Sequence, residues 1–184
     1  MRRELRLRRA AVSAAQRERA ARRAVRILTR QRCWQQSRRI ALYLPHGSEL
    51  STRPLIDCAW AAGKEVCVPR ITGAGTMQFV SLSRSAALRA NRLGIQEPAG
   101  RAIRRPLATL DLLLVPLVGF DARGYRLGAG GGYYDRKLQR RIARRPLCLG
   151  WALALQQISA VPRDPWDQRL DGIVTERGIQ WPIG

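Results

Sequence analysis

The sequence has few of the residues that mark several common protein classes. Its 184 residues include one histidine and four cysteines, and only 6% are aromatic. The cysteines (Cys33, Cys58, Cys67 and Cys148) form no CxxC pair, and a single histidine does not complete a common zinc ligand set. We therefore predict no zinc site, and we interpret the cysteines as free thiols in a reducing cytoplasm.

Long apolar runs are also missing. The longest spans residues 112–120 and is interrupted by Pro116, whereas a membrane-spanning helix needs about twenty apolar residues. The beginning of the chain has no apolar segment before a small-residue cleavage site, so it does not resemble a secretory signal. The 46% of hydrophobic residues exclude a disordered polyelectrolyte. Together these features predict a folded protein of the cytoplasm.

Acidic residues are scarce relative to basic ones, with 13 against 34 and a formal charge of +21 at pH 7. Residues 1–39 hold 14 arginines, two glutamates and no glycine or proline, which predicts a long basic helix. One interpretation is an arm that neutralises nucleic-acid phosphates. The alternative is a helix with an arginine-rich solvent face. Because arginine replaces lysine along the whole chain and only Trp34 is available here for base stacking, the alternative is favoured.

Apolar runs alternate with helical patterns in the rest of the chain. Helices are predicted from a cap at Ser51 or Thr52 to Gly63, over 83–91 and over 133–143; strands are predicted over 39–44, 65–69, 77–82, 110–115, 147–152 and 172–175. This alternation predicts an α/β fold, a single-domain three-layer sandwich with a mainly parallel sheet. The domain would span 1–184, with the basic helical segment 1–39 packed on the α/β core.

Residues 124–135 (GYRLGAGGGYYD) are the most informative segment. Glycines between a buried strand and a helix let backbone N–H groups approach an anion, and the helix start adds partial positive charge. Arg126 supplies a donor for phosphate oxygens, and Asp135 suits the first helical turn or an Mg²⁺ site. The segment lacks the Gly-Lys-Ser/Thr of a Walker A loop and comes too late for the dinucleotide fingerprint. It therefore predicts a phosphate-binding loop, with a simple turn as the alternative.

The full twelve-residue string resembles the signature of the 5-formyltetrahydrofolate cyclo-ligase family, also called 5,10-methenyltetrahydrofolate synthetases. The resemblance extends along nearly the whole chain, and its further segments occur in the family's order. These segments are 2–6, 43–44, 49–52, 62–70, 93–98, 114–121 and 171–175, with Gln156, Pro162 and Asp167.

The resemblance implies ATP-dependent conversion of 5-formyltetrahydrofolate to 5,10-methenyltetrahydrofolate, ADP and phosphate. A formamide oxygen leaves poorly, and phosphoryl transfer to it gives an imino phosphate from which phosphate departs. ATP as cosubstrate, Mg²⁺ as cofactor, and a monomeric protein of cytoplasmic one-carbon metabolism are implied as well. The chain's charge would also favour polyglutamylated folates, whose tails are anionic. The alternatives are a nucleic-acid-binding protein or a non-catalytic folate-binding paralogue on the same fold.

The resemblance also assigns roles to individual residues. Arg126 and Tyr133 are the catalytic candidates, and for Tyr133 packing of the ring beneath the loop is the alternative. Leu44 and Glu49 match folate-contacting positions, and Asp135 and Asp171 match the Mg²⁺ ligands. The positions that match ATP-binding residues are Arg2, Arg3, Arg6, Arg126, Leu127, Gly128, Ala129, Gly130, Gly131, Gly132, Tyr133 and Tyr134.

Some positions depart from the family or stay open. Ala129 is small where the family often has a larger side chain, and Gly131 stands where some members have lysine. We expect Arg126 or Arg136 to offset that missing cation. Three tryptophans are candidates for stacking on a pterin or an adenine, with burial in the core as the alternative: Trp151, Trp166 and Trp181.

Overall fold

The computed structural model describes residues 1–142 and 145–182. Its helices are α1 (Arg2–Ala11), α2 (Ala14–Thr29), α3 (Arg32–Gln36), α4 (Arg53–Ala61) and α5 (Tyr133–Leu138). Its strands are β1 (Arg39–Ala41), β2 (Glu65–Gly73), β3 (Thr76–Ser81), β4 (Leu88–Ala90), β5 (Gln96–Pro98), β6 (Arg104–Arg105), β7 (Leu112–Val115), β8 (Gly119–Phe120), β9 (Arg126–Leu127), β10 (Leu147–Trp151), β11 (Gly172–Thr175) and β12 (Gly178–Gln180).

Eight strands form one sheet in the order β12-β11-β10-β7-β1-β2-β3-β6. The five strands from β11 to β2 are parallel, and antiparallel strands flank them on both sides. The expected mainly parallel α/β sheet is thus confirmed. β1 pairs with β2 on one side and with β7 on the other, so the chain reverses its direction of winding there. In open parallel sheets this reversal opens a crevice at the carboxyl ends of the strands, where ligands bind.

Helices cover both faces of the sheet and give the predicted three layers. The wholly buried strand β7 shows the arrangement: Leu112 and Leu114 pack with α2 and α4, whereas Leu113 and Val115 pack with Leu138 of α5. Alternate residues of a strand point to opposite faces, so a fully apolar strand supplies both cores. Among the residues that the structure describes, no helix has the length and apolar character needed to cross a membrane.

The prediction of one long helix over residues 1–39 is wrong, because the chain breaks into three helices. Val12 is extended, and Ser13 begins α2 with a capping box. The Ser13 hydroxyl accepts from the Gln16 N–H (3.2 Å), and the Gln16 side chain accepts from the Ser13 N–H (2.9 Å). As a result α2 packs on the sheet, while Leu5 of α1 packs separately beside Val118.

The prediction of a helix over 83–91 is also wrong. β4 pairs antiparallel with β5. In the turn between the two strands, Oδ1 of Asn91 accepts hydrogen bonds from the N–H groups of Leu93 and Ile95. Other elements differ in length from the prediction: β1 ends at Ala41, β7 begins at Leu112 and α5 ends at Leu138, whereas β2 continues to Gly73. Ala143, the last residue of the predicted helix, lies outside the described residues.

Candidate active site

Two cavities meet beside the carboxyl ends of β1 and β7. The polar cavity, about 760 Å³, is lined mainly by four arginines and three aspartates: Arg2, Arg126, Arg136 and Arg163, with Asp135, Asp164 and Asp167. The apolar cavity, about 510 Å³, has walls that include Leu44, Ile71, Met77, Leu93, Ile95 and Leu117. Arg126, Gly128, Gly132 and Asp135 line both. The arrangement therefore suits a charged ligand in the polar cavity and a less charged ligand in the apolar cavity, on opposite sides of a common wall.

Residues 128–132, the glycine loop, form most of this common wall. Gly130 and Gly132 have φ values of +108° and +62°, which only glycine adopts without strain. A Cβ atom at Gly131 would lie 2.8 Å from the Tyr133 ring, so the aromatic ring packs against the loop. Within the described part of the chain, no backbone N–H of residues 128–132 donates a hydrogen bond. These donors suit an anion.

Arg126 lies in the wall with its side chain only 3% exposed. Its Nη2 lies 2.5 Å from Oδ1 of Asp135, and its Nη1 donates to the Gln168 carbonyl at 2.8 Å. Since α5 has only six residues, its dipole adds little, and the positive potential comes mainly from the guanidinium groups. The structure thus brings Arg126 and Asp135, two of the predicted site residues, together as an ion pair.

Two arginines of α1 hold the glycine loop by its carbonyl groups. Arg2 Nε donates to Gly128 at 3.1 Å, and Arg6 Nη2 donates to Ala129 at 3.0 Å. Arg3, assigned to the same function by resemblance, is exposed and has no hydrogen bond or ion pair with any residue that the structure describes. The structure places two of the three predicted α1 residues at the loop.

The sequence analysis missed Arg9, which is buried between α1 and the apolar cavity. Its Nε donates to the Ser48 hydroxyl (3.1 Å) and its Nη1 to the Leu117 carbonyl (3.3 Å). Burial lowers the pKa of the Arg9 guanidinium, and the nearby Glu49 opposes that shift. The sequence did contain a signal for Arg9: its spacing from Arg2 and Arg6 places all three side chains on the same face of α1.

Arg136 lies on the polar side of the glycine loop. Its Nη2 donates to the Gly131 carbonyl, and its Nε donates at 2.9 Å to the carbonyl of Gly75, in the turn between β2 and β3. Its guanidinium carbon is 5.7 Å from the centre of the Tyr133 ring. Arg126 is paired with Asp135. Arg136 is therefore better placed to supply the positive charge that some family members carry on a lysine at the position of Gly131.

Glu49 and Tyr134 are half-buried polar residues in the lining of the apolar cavity. Burial raises the pKa of the Glu49 carboxyl, although the His46 N–H, 3.0 Å from Oε2, opposes the shift. Burial also raises the pKa of Tyr134, whose hydroxyl has no hydrogen-bond partner among the described residues. A buried hydroxyl without a partner is costly, so it is suited to bind a ligand. Leu44 and Glu49, the predicted folate-contacting residues, both line this cavity.

The hairpin of β4 and β5 forms an outer wall of the apolar cavity through Leu93 and Ile95. Its anchor is Glu97, which is buried: Oε1 accepts from the Ile71 N–H at 2.8 Å and from Asn91 Nδ2 at 2.7 Å. The sequence analysis missed this role because the helix predicted over 83–91 hid the hairpin. The pairing of Asn91 with Glu97 is visible only once the hairpin is formed.

The structure does not bring Asp171 to either cavity. Its Oδ2 lies 2.5 Å from Arg141 Nη2 and accepts from the Cys148 N–H at 2.7 Å, which ties it to the beginning of β10. Asp167 lines the polar cavity and accepts from the Asp164 N–H at 2.8 Å. Within the described residues, no group of three histidine, cysteine or acidic side chains is arranged to hold a metal ion.

Comparison with known sequences agrees with this arrangement. The sequence model of the 5-formyltetrahydrofolate cyclo-ligase family matches residues 1–176. The 5-formyltetrahydrofolate cyclo-ligase of Escherichia coli (strain K12) is 39% identical over 147 residues, which cover 77% of this chain and 80% of the relative. The mouse (Mus musculus) enzyme of the same name is 32% identical over 153 residues, covering 78% and 75%.

Solved structures give the same result. The NMR structure of Aquifex aeolicus 5,10-methenyltetrahydrofolate synthetase has a TM-score of 0.86 and 31% identity, and the match covers 100% of this chain and 91% of that one. The synthetase from Mycoplasma pneumoniae has a TM-score of 0.77 at 24% identity, covering 95% and 96%, and shares the fold. The chain belongs to the 5-formyltetrahydrofolate cyclo-ligase family.

Proposed function

We propose that the protein is an ATP-dependent ligase that closes the ring of 5-formyltetrahydrofolate to give 5,10-methenyltetrahydrofolate, ADP and phosphate. One observation carries the proposal: a polar and an apolar cavity share a wall made of the glycine loop, Arg126 and Asp135. A reaction between a nucleotide and a heterocyclic second substrate needs such an arrangement, since the reacting atoms must meet in line.

ATP would occupy the polar cavity. The triphosphate would be bound by the free N–H groups of the glycine loop and by the guanidinium groups of Arg2 and Arg136, which already lie against the loop carbonyls. Charge-assisted hydrogen bonds from guanidinium to phosphate are among the stronger ones in proteins. Arg126, in the common wall, would face the terminal phosphate and stabilise its charge during transfer.

The folate would occupy the apolar cavity. Its volume of about 510 Å³ lies within the range usual for small-molecule sites. Glu49 would accept hydrogen bonds from the amino and N–H edge of the pterin, because a carboxylate is an acceptor only. The unpaired Tyr134 hydroxyl is available for a polar group of the same substrate. Tyr133, whose ring packs on the loop, stays a predicted catalytic group near the transfer point.

The chemistry follows from this placement. The formyl oxygen attacks the γ-phosphorus, the bond to ADP breaks, and the formyl carbon becomes an electrophile bearing a phosphate leaving group. N10 then bonds to that carbon and loses its proton to solvent, and the carbon–oxygen bond breaks to release phosphate. The protein's residues contribute alignment and charge stabilisation.

Mg²⁺ fits the polar cavity through Asp135. The contacts of this carboxylate to Arg126 and Gln168 both use Oδ1, and Oδ2 has no partner in the described part of the chain. The ion prefers one or two carboxylates plus phosphate oxygens and water, so the absence of a full ligand cage among the described residues agrees with it. When bound it would neutralise charge on the phosphates. The role predicted for Asp171 stays a prediction.

The net charge of +21 extends the proposal to the substrate's tail. Long-range attraction favours folates that carry anionic γ-glutamyl residues, and this attraction weakens with salt. We expect the KM for a polyglutamylated folate to be lower than that for the monoglutamate at low salt, and the two KM values to converge at high salt. Equal KM values at low salt would contradict this proposal. A cytoplasmic location, a monomeric state and a domain spanning 1–184 belong to the same proposal.

An absorbance assay tests the proposed activity, because the methenyl product absorbs in the near ultraviolet. Product should form only with 5-formyltetrahydrofolate, ATP and Mg²⁺ together. Asp135→Asn should abolish turnover, whereas Asp57→Asn, at an exposed position of α4, should not. No product from folded protein that still binds ATP would overturn the proposal in favour of a non-catalytic folate-binding paralogue.

A further inference from the structure

Trp166 stands out among the residues that line the polar cavity. It is the only aromatic side chain among the described lining residues, and it is 58% exposed. The other candidate tryptophans are placed differently: Trp151 is buried in the core, and the ring of Trp181 packs over Gly172, away from both cavities. An exposed indole beside arginines and aspartates contributes nothing to the core, and its flat face is open to a ligand.

The backbone that carries Trp166 is tied to the glycine loop. The Gln168 carbonyl accepts from Arg126 (2.8 Å), the Gln168 N–H donates to Asp135 (3.4 Å), and the Gln168 side chain donates to the Trp166 carbonyl (3.0 Å). The ion pair of the common wall therefore holds the backbone at Gln168, two residues after Trp166. The backbone that carries the indole is thus held beside the glycine loop.

The polar cavity thus contains two kinds of recognition chemistry. Its guanidinium groups and loop N–H groups suit phosphates, and Trp166 supplies the one aromatic ring among the described lining residues. A nucleobase binds to protein chiefly by stacking on an aromatic side chain and is insensitive to phosphate donors. We propose that Trp166 is the stacking platform for the purine base of the nucleotide, so that the cavity binds the base at Trp166 and the phosphates at the loop. This inference rests on the proposed binding of ATP in the polar cavity.

The segment around Trp166 also carries a charge distribution suited to a nucleotide. Arg163 lies over the Tyr125 ring, with its guanidinium carbon 4.8 Å from the ring centre, and lines the same cavity. Arg126, anchored to the same segment through Gln168, is on the loop side. Two cations thus lie near the indole, together with the carboxylates of Asp164 and Asp167, which line the same cavity. A purine presents a larger π-face than a pyrimidine, so this platform favours ATP over CTP.

The test measures separately what the base and the phosphates contribute to nucleotide affinity. Equilibrium binding of ATP, CTP and inorganic tripolyphosphate is measured by calorimetry with the wild type, Trp166→Ala and Trp166→Phe, and with Trp181→Ala as the matched control. Trp166→Ala should weaken ATP binding by about 5- to 150-fold, the range expected when one base–aromatic stack is lost. Tripolyphosphate affinity should be unchanged, the preference for ATP over CTP should shrink, and Trp166→Phe should retain most of the ATP affinity.

Two results would overturn the inference. If Trp166→Ala bound ATP as tightly as the wild type, the indole would not contact the base. If ATP and tripolyphosphate affinities fell together, the substitution would have displaced the glycine loop instead of removing a stack. Failure of the proposed function is distinguishable from both: a wild type that binds ATP but forms no product loses only the ligase activity, whereas a wild type that binds no ATP loses both proposals.

Discussion

Arg126 and Asp135 form an ion pair, 2.5 Å between Nη2 and Oδ1, in the wall that separates the two cavities. The glycine loop lies between these two residues in the chain, so the pair joins the ends of the loop. The same guanidinium also holds the Gln168 carbonyl, which connects the loop to the segment carrying Trp166. One buried side chain therefore positions both sides of the proposed nucleotide site.

Replacing Arg126 by lysine keeps the charge but removes the planar fork that reaches Asp135 and Gln168 together. We expect Arg126→Lys to lower kcat/KM about 100-fold, as loss of a positioned transition-state donor does. The free energy of unfolding should fall by about 1–3 kcal/mol, because one buried partner stays unpaired. The exposed Arg19→Lys on α2 is the control. Activity within a factor of two of the wild type would contradict the role of the pair.

Arg2 and Arg6 are expected to support the nucleotide side of the site only. The double variant Arg2→Gln/Arg6→Gln removes both hydrogen bonds to the loop carbonyls and two positive charges beside the glycine loop, one of them in the lining of the polar cavity. The KM for ATP should rise about tenfold or more, the effect of losing charge-assisted bonds, while the KM for the folate stays nearly constant. Steady-state kinetics with Arg19→Gln/Arg23→Gln as the charge-matched control checks this. Equal rises in both KM values would refute the assignment.

Glu97 is expected to support the folate side through the β4–β5 hairpin. Glu97→Leu leaves the Ile71 N–H and the Asn91 amide without their acceptor, which should cost about 1–3 kcal/mol in the free energy of unfolding. The loosened hairpin carries Leu93 and Ile95, so the KM for the folate should rise while that for ATP changes little. Denaturant unfolding and kinetics measure the two effects, with the exposed neighbour Gln96→Leu as control. An unchanged folate KM would exclude the hairpin from the site.

Stability at acid pH should depend on Glu65, at the beginning of β2. Burial raises the pKa of this carboxyl, but hydrogen bonds from Ser81, Arg39 and Arg105 outweigh burial and bring the pKa to about 2. The unfolded state then binds more protons than the folded state between pH 4.5 and about 2, so stability is full above this range and is lost as the pH falls through it.

Glu65→Gln should therefore reduce the free energy of unfolding by about 1–3 kcal/mol at neutral pH and flatten its pH dependence in that range. Urea unfolding at several pH values measures both effects. Glu18→Gln, which removes an exposed pair with Arg22, should change stability by less than about 0.5 kcal/mol. The same acid sensitivity in wild type and Glu65→Gln would contradict the account.

The features predicted well from the sequence are those that depend on neighbouring residues. The apolar run of β7 and the glycine loop are local patterns, and both were located correctly. The break between α1 and α2 was equally local, since Ser13 and Gln16 have capping-box spacing, but the continuous arginine pattern concealed it. The helix over 83–91 failed because strand pairing, a tertiary interaction, overrides the helix propensity of its alanine and leucine residues.

The site residues that the sequence did not reveal have partners far along the chain. Arg9 reaches the carbonyl of Leu117, 108 residues away, and Glu97 accepts from the Ile71 N–H, 26 residues away. In a chain with 34 basic residues, nothing local separates Arg9 from the arginines on the solvent face. Asp171 shows the converse: its place in the family's pattern suggested a ligand, whereas its contacts in the structure are with Arg141 and the Cys148 N–H.

The central claim is that the γ-phosphoryl group crosses the common wall to the formyl oxygen. Turnover of 5-formyltetrahydrofolate labelled with ¹⁸O in the formyl group tests it directly, with the released phosphate analysed by mass spectrometry. The account predicts one ¹⁸O atom in each phosphate, because the formyl oxygen leaves as part of it. Unlabelled phosphate, with the label recovered in water and methenyl product still formed, would contradict phosphoryl transfer across the wall.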